Sequence, residues 1–334
     1  MDNQTVEVSS PCHSLGQSFL VCGLIFITGT LLLSVTFNGL ILLSFYLDTT
    51  LRTLSCAFII NLAVTDVISS IILIPMEIIY LVHFPGIPFS GTINNVWNAG
   101  FLSLLAASIL NFTAVSLDRY IRIRYPLHYM YYLTQERVIQ LLIFIWSYAL
   151  AIGILMFFAF DEPVSGVYSF QISALFFIPF LLINVFLPFC IIIVLYTRIF
   201  RIMRRHMRCI NVQVSASLRA CYFVPVRRQN SLLQNLSSSK TVGLVLFGFS
   251  LTWFPFLIYQ LFYMYSKQSE CLLDKFDTVI CWLTYFSAVS NPVIYAAREK
   301  RFKKVILRLL DIPGRFNCLA DCCRKGSFRT SKSK

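Results

Sequence analysis

The sequence predicts an all-α membrane protein, a seven-transmembrane helix bundle with a short amphipathic helix after span seven. Three observations predict it. Hydrophobic residues make up 57% of the 334-residue chain and charged residues only 13%, about half the ~25% share of an ordinary soluble domain. The apolar residues gather into seven runs, each long enough to cross a bilayer at ~20 residues. The basic residues cluster in alternate connections between those runs. A soluble two-domain enzyme is excluded by the first observation. With 13 Gly and 12 Pro, the chain is also neither collagen-like nor Pro/Gly-rich disordered.

The elements follow in chain order. Residues 1–18 are polar, lack the basic start of a cleavable signal peptide, and carry the glycosylation sequon Asn3-Gln4-Thr5. They are expected outside the membrane. The spans run roughly over 19–47, 54–82, 94–121, 138–160, 171–197, 241–265 and 276–297, forming one membrane domain at 19–297. Helix is the only conformation for them that pairs every backbone group within its own segment, and no barrel-like alternation is visible. After span seven, residues 298–311 place Phe302, Val305, Ile306, Leu309 and Leu310 at helical spacing among Lys303, Lys304 and Arg308. That pattern suits a helix lying in the membrane interface. The tail 312–334 is expected in the cytoplasm, with Cys318, Cys322 and Cys323 as candidate palmitoylation sites.

Charge orients the bundle. Of 28 Lys and Arg residues, only Lys267 and Lys275 fall in a connection expected outside. Arg52 marks the first inner connection, Arg119 to Arg137 the second, Arg198 to Lys240 the third, and Arg298 onward the C-terminal region. Positive residues stay inside, so the N-terminus is extracellular and the C-terminus cytoplasmic, as an odd number of spans requires. The net charge of +13 is therefore a topology signal, and nucleic acid is not an expected partner. The sequons at Asn111 and Asn235 fall in the membrane and the cytoplasm and read as chance matches.

Ionisable groups inside a span are costly and point to function. Asp66 and Glu77 in span two are the clear cases. They lie eleven residues apart, three turns plus about 20°, so they share a face about 16 Å apart along the axis. Pro75 between them is expected to kink the helix and turn Glu77 inward. Glu77 could equally reach for interfacial water at the outer end. Asp118 and Arg119 stand at the inner end of span three.

Several motifs fall in order along the spans. They are Asn38-Gly39 in span one, Leu62-Ala63-Val64-Thr65-Asp66 in span two, and Asp118-Arg119-Tyr120 ending span three. Trp146 follows in span four, Pro188 with Tyr196 in span five, Trp253-Phe254-Pro255 in span six, and Asn291-Pro292-Val293-Ile294-Tyr295 in span seven. Together they resemble the rhodopsin-like (class A) G-protein-coupled receptors over about residues 19–311. The resemblance implies a receptor that turns binding of an extracellular ligand into activation of a heterotrimeric G protein at the plasma membrane, with arrestin and receptor kinases as further partners. It implies no enzymatic chemistry.

Residue by residue, the resemblance implies that Arg119 exchanges Asp118 for Tyr196 and Tyr295 as span six moves outward. Pro255 and Pro292 interrupt backbone bonding and give spans six and seven places to bend. Ile109, Pro188 and Phe249 take the positions of the apolar relay beneath the ligand pocket, and Trp253 that of its floor. Asp66, Ser108 and Asn291 resemble the family's sodium pocket, although Ser287 and Ala288 replace its usual Asn and Ser. The alternative is an Asp66 that simply holds spans two and seven together. Pro126 and Leu127 fall where the family contacts its G protein.

The outer face departs from the family. Asn94 stands where the usual disulfide cysteine belongs, and the second outer loop, 161–170, has no Cys. Cys12 could pair with Cys271, or Cys271 with Cys281. The short loop and an outer carboxylate on span two are similar to melanocortin receptors, with lipid and adenosine receptors the wider neighbourhood. Phe101 occupies the position of the amine-binding Asp, and Tyr285 that of the retinal-binding Lys. A standard amine site and a light receptor are therefore not expected. Helical phase gives Glu77, Trp97, Asn98, Phe101, Leu105, Phe180, Asn184, Phe256, Gln260 and Tyr285 as pocket-lining candidates, mostly aromatic and apolar. Two ligand classes stay open: a cation or basic peptide paired with Glu77, or an apolar molecule. The rival from another class is an ion-coupled transporter or channel using Asp66 and Glu77, which leaves the Asp118-Arg119-Tyr120 and span-seven motifs unexplained.

Overall fold

The computed structural model describes residues 16–83, 90–160, 170–220, 226–266, 271–298 and 305. Span one is Gln17–Leu47, span two Leu54–His83, span three Gly91–Arg124 and span four Gln135–Phe157. Span five runs Ala174–Phe180, Leu181–Phe186 and Leu187–Ala220 without a break. Spans six and seven are Val226–Ser266 and Cys271–Arg298. Six spans contain an apolar stretch able to cross a membrane by length and composition. The seventh is more polar because Thr284, Ser287 and Asn291 face into the bundle.

Local chemistry sets the helix ends. Ser90 caps span three by accepting from the Ile93 N–H at 3.3 Å, and Thr134 caps span four through Arg137 N–H at 3.3 Å. A one-turn helix, Tyr129–Tyr132, interrupts the second inner connection. In span five, Pro188 has no N–H to give to the preceding turn. The chain absorbs the gap as a π segment, Leu181–Phe186, with Leu187 N–H reaching the carbonyl of Leu182.

The helices overrun the expected spans on the inner side. Residues 198–240, read from sequence as a basic connection, are largely continuations of spans five and six. Of the expected amphipathic helix only Val305 is described, helical and buried. Asn3, Cys12, Cys318, Cys322, Cys323 and the loop 161–169 lie outside the described residues, as does the side chain of Cys271.

Span three is the axis of the bundle and packs against spans two, four, five and six, while span one packs on two and seven. Apolar side chains such as Leu32, Ile72, Phe144 and Ile258 point outward, as in a lipid-facing rim. Association in lipid depends on close packing and polar contacts rather than on water exclusion. Gly23 illustrates the closeness, because a Cβ there would overlap the Trp282 ring of span seven.

Candidate functional site

At the inner end, adjacent residues on span three separate by 100° around the helix. Asp118 therefore faces span two and Arg119 faces away from it. Asp118 accepts from Ser55 Oγ at 2.7 Å and from the Tyr129 hydroxyl at 2.7 Å. Arg122 donates to the Tyr129 hydroxyl at 2.8 Å and to Ser55, and its guanidinium lies 4.2 Å from the Tyr129 ring centroid. Burial and the negative Asp118 raise the Tyr129 phenol above its ordinary pKa, so it stays a donor. The expected Asp118–Arg119 pairing is a long one, 3.8 Å at Nε, and Ser55 and Tyr129 are the close partners that the sequence reading missed. The Tyr196 hydroxyl bonds Ser116 and lies near Arg119 and Tyr295. Tyr120 packs on Ile123, Ile199 and Met203. Pro126 and Leu127 are exposed, Leu127 by 93%.

In the middle of the bundle, Asn291 Nδ2 donates to Asp66 Oδ2 at 3.0 Å, joining spans two and seven. Asn291 Oδ1 is buried without a partner. Ser108 on span three is also buried, but no hydrogen bond joins it to Asp66 among the described residues. Asn38 donates to the Ala288 carbonyl at 2.9 Å, and Ser34 meets Ser70 at 2.6 Å. Asn61 donates to Asn111 Oδ1 at 2.6 Å and accepts from Trp146 Nε1 at 2.9 Å, tying spans two, three and four. Asn111 is thus a core residue, not a glycosylation site.

Above this level an aromatic column runs along the bundle. Ring centroids step from Phe112 to Phe249 at 4.8 Å, to Trp253 at 5.7 Å and to Phe101 at 5.0 Å. Ile109, Pro188 and Phe249 are all buried, and the ring that Phe249 meets on span three is Phe112. Trp253 Nε1 donates to Ser287 Oγ at 3.2 Å. Phe101 also meets Phe256 at 5.2 Å and Tyr285 at 5.8 Å. Phe170, from the end of the second outer loop, closes over Phe256 at 5.5 Å.

Among the expected lining residues, Trp97, Asn98, Phe101, Leu105, Phe256 and Tyr285 are buried in the outer half of the bundle. Gln260 donates to Asp277 Oδ1 at 3.2 Å, and Glu77 Oε1 accepts from Trp282 Nε1 at 3.0 Å. Asn184 departs from the expectation. It accepts from the Tyr148 hydroxyl at 2.8 Å and donates to the Phe180 carbonyl, so it is committed to span four. A phase counted at 3.6 residues per turn fails across the π segment that contains it. Phe180 stacks on Phe177 instead of standing alone.

Where the family's disulfide would sit, Asn95 Nδ2 donates to the carbonyls of Phe160 at 3.2 Å and Phe157 at 3.4 Å. Phe160 in turn pairs with Ile172 in an isolated antiparallel bridge. Span three is thus fastened to the second outer connection by hydrogen bonds. Cys281, one candidate partner for Cys271, is a free thiol, as are Cys22 and Cys190.

A family model described as the 7 transmembrane receptor (rhodopsin family) matches residues 37–295. Over 312 residues the chain is 27% identical to the histamine H2 receptor of Cavia porcellus, spanning 91% of this chain and 80% of that receptor. It is 27% identical over 331 residues to the alpha-1A adrenergic receptor of Homo sapiens, at 90% and 68% coverage. Against the alpha-1D adrenergic receptor of Mus musculus it is 27% identical over 328 residues, at 86% and 56%.

Proposed function

The chain belongs to the rhodopsin family of seven-transmembrane receptors, and we propose that it acts at the plasma membrane with its N-terminus outside and its C-terminus inside. A ligand settling on Phe101 and Trp253 shifts the aromatic column, and span six swings about Pro255. Arg119 then leaves Asp118 for Tyr196 and Tyr295, opening an inner face where Leu127 and Pro126 meet a heterotrimeric G protein. The unbroken contact from Phe101 through Trp253 and Phe249 to Phe112 carries this reading, because it links the outer pocket to the middle of the bundle, about two turns above Arg119 on span three. Arrestin and receptor kinases are further partners proposed for the same inner face.

The ligand we propose is a small molecule with an apolar or aromatic body and a basic group. The relatives are histamine and adrenergic receptors; here Phe101 fills the span-three position with a ring, so the charge must be met elsewhere. Glu77 offers it: a buried carboxylate that receives an indole hydrogen bond rather than a cation, with Asp277 adding negative potential nearby. A wholly apolar ligand is the second reading, favoured by the ring-lined pocket. Glu77→Gln separates them when ligands are titrated against nucleotide exchange on added G protein. Potency of a basic ligand should fall about 10- to 100-fold, from the ~1.5–3 kcal/mol of a hydrogen bond to a charged group. Unchanged potency selects the apolar reading, and substrate flux without exchange would favour a transporter.

We also propose a sodium ion at Asp66 and Asn291. The carboxylate beside the unpartnered Asn291 Oδ1 is a donor set of hard oxygens that fits a small cation. Such an ion would supply charge neutralisation to Asp66, with Ser108 a further candidate oxygen.

A further inference from the structure

A hollow among the described residues lies outside the ligand pocket, on the lipid-facing flank between spans five and six. It measures about 880 Å³ and is walled by apolar side chains, among them Leu182, Phe186, Phe189, Phe247, Phe254 and Ile258. Phe186 and Ile258 are each 64% exposed, so the hollow opens outward rather than into the bundle. Spans five and six touch sparingly along it. Gly243 keeps one wall thin, since a Cβ there would sit 3.3 Å from the Tyr196 ring.

Its inner end changes character. Lys240 lines the hollow there. A second hollow of about 400 Å³ shares Ile193, Tyr196 and Phe200 with the first and is lined by Arg201 and Arg204. All three cations are exposed, and none forms an ion pair among the described residues. An apolar trough ending in cations at the inner end of the bundle matches one kind of molecule, with a long hydrocarbon chain and an anionic head. Bulk zwitterionic lipid would cover the trough but bring its own cation beside the three on the protein, whereas a soluble anion would match the cations and leave the trough bare.

We propose that this flank is a binding site for an anionic phospholipid of the inner leaflet, its acyl chain lying along the span five–six trough and its phosphate held by Lys240, Arg201 and Arg204. Tyr196 borders both hollows, so, on the switch proposed above, occupancy sits against the side chain that Arg119 reaches when span six moves.

The test uses the full chain in nanodiscs of phosphatidylcholine doped with phosphatidylserine, with native mass spectrometry reading which lipid stays bound on release. The expected result is retention of phosphatidylserine well above its bulk share. Replacing one cation, as in Arg204→Gln, should lower that enrichment about fivefold, and Lys240→Gln with Arg201→Gln and Arg204→Gln together should abolish it. Filling the trough with Ser250→Phe should displace the lipid while the cations remain. Circular dichroism confirms that each variant is folded, and the exposed Arg204→Gln carries the test if the others are not. Enrichment unchanged in the charge variants overturns the proposal, as does retention of both lipids in proportion to the bulk. Displacement of phosphatidylserine by glycerol phosphate alone would also overturn it, because a free anion site needs no trough.

Discussion

Tyr129 offers the sharpest test of the inner switch. Its hydroxyl donates to Asp118 at 2.7 Å and accepts from Arg122 at 2.8 Å, so Tyr129→Phe removes both bonds while keeping the ring under the Arg122 guanidinium. Asp118 keeps only the donor from Ser55. A hydrogen bond to a charged group contributes ~1.5–3 kcal/mol. The site lies at the membrane boundary, where water can replace part of the lost bond, and about 1 kcal/mol is a reasonable remainder. If the bond holds Asp118 in the resting arrangement only, the signalling fraction rises about fivefold. The assay is ligand-free nucleotide exchange on added G protein, in membranes matched for surface receptor. Ser55→Ala should act in the same direction, and the double variant should fall short of the sum because both donors serve one carboxylate. Basal exchange that is unchanged or lower in folded Tyr129→Phe would refute the reasoning. The Tyr129 phenol has a raised folded pKa. Its contribution is therefore complete below the ordinary Tyr value of ~10 and lost only as pH rises through the folded value, so the variant effect should be flat between about pH 6 and 8.

Two further outcomes follow from buried polar contacts. Asn95→Ala should loosen span three from the second outer connection and lower thermal stability by about 1 kcal/mol, and a melting temperature equal to the parent's would mean that these two bonds do not hold the connection in place. Replacing sodium by a large organic cation should shift ligand affinity in the parent but not in Asp66→Asn, and an equal shift in both would remove sodium from the account.

Much of the bundle was legible because lipid imposes a simple rule, long apolar runs with their charges at the ends. The rule says nothing about where a helix stops in water, and spans five and six consequently run on past Arg198 and back before Lys240. Within the site, Asp66 and Asn291 were legible as a pair because each stands in a recognisable motif at a matching depth. Trp146 was legible as a motif residue, but its partner Asn61 was not, since 85 residues separate them and nothing local marks Asn61. Tyr129 was hidden for a different reason. It sits in a connection, where no periodicity indicates which way a side chain turns. The bond of Asn184 to Tyr148 on span four was not legible, because Asn184 lies in a π segment where one proline four residues later changes the helical phase. The Pro188 signal was in the sequence, but its consequence depends on whether the helix kinks or takes in an extra residue.

The distribution of polar ties supports span six as the moving element of the proposed switch. Span two is fastened along its whole length: Ser55 to Asp118, Asn61 to Asn111 and Trp146, Asp66 to Asn291, Ser70 to Ser34, and Glu77 to Trp282. Those contacts reach spans one, three, four and seven, and breaking any one leaves the others in place. Span six is fastened to span seven at Trp253 and Gln260, which bracket Pro255. Its inner half borders the trough shared with span five, where mostly apolar side chains face lipid. Helix separation in lipid costs little where only hydrocarbon is exchanged for hydrocarbon and much where a hydrogen bond is abandoned. A rigid half built on span two and a hinged half below Pro255 therefore follow from where this chain places its Asn, Ser, Asp and Trp side chains.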